Sequence, residues 1–183
     1  MKEDSFWEFV DEARKESGGD EERFLEVLER GLMALPPNAI EGFRERLDDV
    51  LARAYRWDLW AAAHIINGGA SDDSFQYFRA WLVSRGERVY SAVTARPDEL
   101  VDYLPEDFDE LDFEAILSVA WEVYENKTGS ELPASDRERP PSPSGEEWDF
   151  DDDAEVRKRL PRLYARMEAD DGTADQKPWW RFW

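Results

Sequence analysis

An all-α fold follows from three features of the sequence. Apolar residues recur at three- and four-residue intervals in successive windows, as in Ile40, Phe43, Leu47, Val50, Leu51 and Ala54. Glycine, proline and short polar residues bracket those windows as helix starts and stops do. No stretch alternates apolar and polar side chains convincingly, and no hairpin signal separates two apolar runs. The expectation is one helical domain over residues 1–129, of about six to eight helices, with a C-terminal segment docking back on it.

In chain order, Asp4 or Ser5 can cap a first helix carrying Phe6, Trp7, Phe9, Val10 and Ala13, which Gly18-Gly19 ends. Asp20 caps a second, with Phe24, Leu25, Val27, Leu28, Leu32 and Leu35, stopped by Pro36-Pro37. Asn38 opens a third, and its continuation through Tyr55-Arg56-Trp57 is left open by the pattern. The spacing predicts a helix over 57–67 with Trp57, Trp60, Ala61, His64 and Ile65 along one side, closed by Gly68-Gly69. Ser71 caps the next, where Phe75, Phe78, Arg79 and Leu82 share a face. Gly86 marks a break before Val89, Tyr90 and Val93, and Pro97 begins a short helical turn. Phe113, Ile116, Leu117, Ala120, Trp121 and Tyr124 predict an amphipathic helix ending at Thr128-Gly129.

Beyond it the composition changes. Residues 130–145 read as a Pro/Ser-rich linker, stiff where prolines cluster. Residues 146–167 combine Trp148 and Phe150, set among carboxylates, with a basic run. Rings so placed gain by burial, which predicts that the segment returns to the helical body. Residues 168–183 read as a flexible tail ending in Trp179, Trp180, Phe182 and Trp183, rings that must fold back, pair with another chain or serve the function.

Of the 183 residues, 42% are hydrophobic and nine are tryptophan, which suits a packed core despite 37% charged residues. The absence of cysteine excludes disulfides and thiolate chemistry. The net charge of −21 disfavours nucleic acid and anionic membranes as partners, since both require clustered cations. It suits solubility, a basic protein partner drawn by long-range attraction, or adaptation to salt. No basic-then-apolar leader and no membrane-length apolar run are present, so the cytoplasm is the default location.

The best candidate site is Asp58, His64, Asn67, Asp72, Asp73 and Arg79. If helices 57–67 and 71–85 form a hairpin across the paired glycines, imidazole, amide and carboxylates meet near the turn. His64 with Asp72 or Asp73 would then be an acid–base pair and Arg79 an anion anchor. Trp57, Trp60 and Trp81 would line a ligand slot. The structural reading of the same residues is a capped helix start with acids at its positive end, ion pairs and core indoles. One histidine and no cysteine make a poor transition-metal site; Asp72 and Asp73 could hold a hard cation with Asn67, but no EF-hand spacing is present, and no cofactor or metal is expected.

Trp57-Asp58-Leu59-Trp60-Ala61-Ala62, Ile66-Asn67-Gly68-Gly69, Ser71-Asp72-Asp73 and Tyr77-Phe78-Arg79-Ala80-Trp81-Leu82, with Phe6-Trp7 and Pro97-Asp98-Glu99-Leu100, carry a resemblance. Together they resemble the domain of unknown function 4240 family of bacterial proteins. Trp148-Asp149-Phe150-Asp151-Asp152 and Arg159-Leu160-Pro161-Arg162-Leu163 look like a C-terminal segment of the same pattern, so the likeness would span Ser5 to Tyr164. The resemblance implies a mostly helical cytoplasmic domain and no particular activity. Ala70 stands where relatives are expected to carry cysteine, so any thiol chemistry of theirs is absent here. The leading expectation is a non-enzymatic interaction or regulatory module, of the small acidic inhibitor kind, for a basic protein, anchored by Trp148, Phe150, Trp179, Trp180 and Trp183. The alternative is a small-molecule-binding or hydrolytic enzyme using His64, Asp72, Asp73 and Arg79.

Overall fold

Helix punctuation sets most element boundaries in the computed structural model. It describes residues 1–171 apart from Glu106, Asp107, Asp109, Asp136, Glu138 and Arg139. Trp179, Trp180 and Trp183 therefore lie outside the described residues. Helix α1 (Glu3–Ser17) ends at Gly18, whose φ of 63° is the left-handed conformation that glycine adopts without strain. Its start differs from expectation: Lys2 precedes it, and neither Asp4 nor Ser5 caps it. The Asp20 carboxylate accepts from the Arg23 amide and opens α2 (Glu21–Ala34). Helix α3 (Pro37–Arg53) begins one residue before Asn38, because a proline at the first helical position needs no amide partner. It stops at Ala54 and does not run on into α4 (Trp57–Ile66).

Ser71 caps α5 (Asp72–Ser84) by accepting from the Ser74 amide at 3.2 Å. Gly86 (φ 87°) turns the chain into α6 (Glu87–Ala95), and a 3-10 helix follows at Pro97–Tyr103. The amphipathic helix predicted from Phe113 is split into a 3-10 turn, Glu114–Leu117, and α7 (Val119–Thr128). The break rotates the buried stripe onto Ile116, Val119, Ala120 and Val123, which leaves Trp121 44% exposed where a core position was expected. Helices α8 (Asp153–Arg159) and α9 (Pro161–Asp171) complete nine α-helices and two 3-10 helices among the described residues. The excess over six to eight comes largely from these two, which Pro161 separates. Helix α9 continues into the stretch whose composition suggested a flexible tail. No helix among the described residues is long and apolar enough to cross a membrane.

The core forms around α5, where seven consecutive residues, Phe78 to Ser84, are buried. Helices α1, α3, α4 and α6 and the Glu114–Leu117 turn pack on it. Phe6 meets Phe43 with ring centroids 5.0 Å apart, and Trp7 meets Tyr90 at the same distance, joining α1 to α3 and α6. Helix α4 presents a different side from the one predicted. Leu59, Ala61, Ala62, Ala63 and Ile66 face inward, while Trp57, Trp60, His64 and Ile65 are only half-buried. The small alanines are buried among the neighbouring helices, and the larger rings spread over the flank.

The C-terminal segment docks on the body. Within the linker, Leu132 and Pro143 are buried. Ser144 donates its amide to the Tyr55 carbonyl (2.9 Å) and accepts from the Trp57 amide (3.0 Å), a single parallel bridge. Asp152 caps α8, and Val156, Leu160 and Leu163 are buried. The N-terminus of α9 is capped from afar: Asp98 accepts from the amides of Arg162 and Leu163, each at 3.0 Å.

Candidate functional site

The hairpin of α4 and α5 forms across Gly68-Gly69, yet its polar residues separate. His64 points to the returning segment, with Nε2 3.3 Å from Asp151 Oδ1 and Phe150 at 5.7 Å between ring centroids. Asp72 and Asp73 stand at the start of α5 on the rim of a cavity that His64 does not line. Asn67 brackets a loop: its side chain donates to the Leu111 carbonyl (3.3 Å) and accepts from the Leu111 amide (3.0 Å). Asp58 holds Arg56 through two bonds of 2.9 and 2.6 Å and accepts from the Leu59 amide. The acid–base pairing expected of His64 with Asp72 or Asp73 is thus replaced by a His64–Asp151 contact.

The tryptophans of the predicted slot form a ladder instead. Trp57 stacks on Trp60 (5.4 Å, 9° between planes), Trp60 on Phe75 (4.8 Å, 16°), Phe75 on Phe78 (6.3 Å) and Phe78 on Trp81 (5.8 Å). Offset stacking of this kind adds to the area each ring buries. The Trp60 indole donates to the Ala70 carbonyl at 2.9 Å, pinning the glycine turn. Arg85 covers Trp81 at 4.8 Å, and burial pushes its guanidinium down from the ordinary arginine range even though Glu21 lies 3.1 Å away. At the other end Phe150 abuts Trp57, Trp148 meets Phe150 edge-on at 5.2 Å, and Arg159 lies over Trp148. Trp148 and Phe150, expected as partner anchors, are packed against the chain's own helices.

Arg79 is 9% exposed and belongs to the fold as much as to the site. Its Nη1 donates to the Leu51 carbonyl at 2.7 Å, and its guanidinium lies over the edge shared by the Tyr55 and Phe75 rings, 4.7 and 4.9 Å from their centroids. One edge borders a cavity of about 350 Å³ between α3 and α5, closed by Leu117, Trp121 and Pro140. Asp48, Asp72 and Asp73 contribute carboxylates to it, while Arg44 is held by Asp48 at 3.4 Å and donates to the Pro133 carbonyl. Burial, and then the neighbouring Asp72 carboxylate, raise the Tyr55 hydroxyl above the ordinary phenol range against the opposing pull of Arg79.

Across Trp121 lies a second, shallower concavity of about 690 Å³, lined by Gln76, Tyr77, Leu117 and Trp121 with Glu114, Glu122 and Glu125. Among the described residues no basic side chain lines it. The neighbouring Glu114 carboxylate holds the pKa of the Tyr77 hydroxyl above the usual value. Among the described residues no ion pair engages Glu114, Glu122 or Glu125. Trp121 stands on the ridge between the two concavities, a large ring in water with carboxylates on both sides. Sequence reasoning missed this surface because Trp121 follows Leu117 at helical spacing. The clue lay in Ser118, Glu122 and Glu125, polar positions on the same flank.

The arrangement can attract and desolvate a cation, since exposed carboxylates beside an indole face combine charge with cation–π attraction. Among the described residues no group of three or more His, Asp or Glu side chains is placed to hold a metal ion. No curated protein and no solved structure matches the chain. A protein family does match, over residues 1–126, which takes in α1 to most of α7 and every residue of the acidic groove but stops short of the docked segment around Trp148. With more than half its length so matched, the chain belongs to the family described as Protein of unknown function (DUF4240).

Proposed function

We propose that this protein is a non-enzymatic interaction module that binds a basic segment of another protein at the Trp121 surface. The supporting observation is the 44% exposure of Trp121 between two concavities carrying Asp72, Asp73, Glu114, Glu122 and Glu125. Aromatic anchors dominate interface energetics, and a flanking ring of acids selects a cationic partner and steers its approach. The same acids repel phosphate, which favours protein over nucleic acid. The surface replaces Trp148 and Phe150 as anchors, because those rings are packed within the chain. The enzymatic alternative gains no comparable support, since His64 faces Asp151.

The test is titration of isotope-labelled protein with a short arginine- and serine-containing peptide, followed by amide shifts. The expected shifts concentrate at 76–77 and 114–125. Converting Glu114, Glu122 and Glu125 together to glutamine should weaken binding about tenfold, at roughly 0.5 kcal/mol per exposed pair. Trp121→Ala should weaken it comparably. Converting Glu8, Glu12 and Glu29, exposed on α1 and α2, changes net charge equally and should alter affinity less than about twofold. Equal loss from both triple variants would reduce the effect to general charge attraction and remove the proposal.

A further inference from the structure

We infer that the acidic groove beside Trp121 is the docking site of this chain's own C-terminal stretch, Lys177–Trp183, which would compete there with an outside partner. The inference rests on the groove reading above and adds an occupant to it. Its first ground is charge. Residues 172–183 carry Lys177 and Arg181 against the single carboxylate Asp175, in a chain whose net charge is −21. The groove supplies Glu114, Glu122 and Glu125, none of them in an ion pair among the described residues, and no cation lines it.

The second ground is apolar surface. Trp179, Trp180, Phe182 and Trp183 place four rings within five residues, and rings so concentrated seek cover. Trp121 is the largest exposed apolar side chain among the described residues, and Tyr77 and Leu117 adjoin it in the groove. Arg181 lies between these rings, so a single register can set its guanidinium against an indole face while neighbouring rings cover Leu117. The third ground is reach. Helix α9 ends at Asp171, and the twelve residues beyond it span up to about 40 Å when extended. Lys177 lies six residues beyond that end, so it must reach its carboxylate within about 20 Å. The groove is built wholly from residues inside the family match, whereas the stretch that would fill it lies outside.

The experiment uses the full chain and a zero-length carbodiimide, which joins a lysine amine to a touching carboxylate as an amide. Peptide mapping by mass spectrometry should find Lys177 coupled chiefly to Glu114, Glu122 or Glu125. A mixture of light and heavy isotope-labelled protein should give unmixed products. Coupling of Lys177 mainly to other acids, or none, overturns the inference, and mixed products assign the groove to a second copy instead. Independently, the double variant Lys177→Glu, Arg181→Glu should bind the arginine–serine peptide about fivefold more tightly, as two exposed ion pairs cease to compete. Unchanged peptide affinity in that variant defeats the inference. The groove reading survives that result if the Glu114/Glu122/Glu125 variant still loses the peptide, so the two failures are distinct.

Discussion

Tyr90 lies beside Trp7 with its hydroxyl 2.6 Å from the Val50 carbonyl, to which it donates. Burial pushes its pKa up from 10.0 to about 12. Between those values the unfolded chain has released a proton that the folded chain keeps. This contribution to stability is therefore complete below pH 10 and is lost as pH rises through about 12. Urea unfolding across that range should show a fall on the order of 2–3 kcal/mol from this group, absent in Tyr90→Phe. At neutral pH the same variant should cost about 1 kcal/mol for the lost hydrogen bond. At this scale the sequence is least legible. Asn67 was readable as a polar group beside a turn, but its partner Leu111 follows an acidic loop with no periodicity. His64 was expected beside Asp72 or Asp73, and it lies instead against Asp151, far along the chain. Pairings made across such separations are fixed by packing, which spacing does not encode.

Among elements, α9 depends on another part of the chain for its start. Leu160 precedes it and offers no capping oxygen, so Asp98 of the Pro97–Tyr103 helix accepts from its first free amides, and Asp102 grips Arg162 at 2.5 and 2.9 Å. Asp98→Ala should cost about 1 kcal/mol, as loss of an N-cap does. Hydrogen exchange should quicken in α9 first while α5 keeps its protection. If both lose protection together, the cap belongs to the global transition and α9 is no separate unit. Element boundaries were largely legible, because Gly18, Asp20, Pro36-Pro37, Ser71 and Gly86 act locally. The inward side of α4 was not. Its sequence, WDLWAAAHII, is apolar nearly all round, so no stripe stands out to say that the alanines rather than the indoles turn inward.

For the whole molecule the net charge of −21 is the dominant long-range term. Many basic side chains are engaged at short range, as in Arg137 with Asp49, Arg53 with Glu3 and Arg157 with Glu168, which leaves a carboxylate excess repelling itself across the surface. Salt screens that repulsion over roughly 10 Å at 0.1 M. The thermal midpoint should accordingly rise with sodium chloride, most steeply at low ionic strength, and peptide binding at the Trp121 groove should weaken over the same range. A midpoint indifferent to salt would mean that local ion pairs already balance the field. Opposite responses of folding and binding to one variable would separate the solubility role of the charge from its recognition role.

The run of rings from Trp57 to Trp81 has an optical consequence. Two indoles lying parallel 5.4 Å apart share their electronic excitation, so Trp57 and Trp60 should give a split far-ultraviolet dichroism band superimposed on the helical signal. Helix content read from that spectrum alone would come out distorted, and the distortion itself is useful. It disappears when α4 unwinds or when either indole is replaced, giving an unlabelled readout of whether the start of α4 is intact.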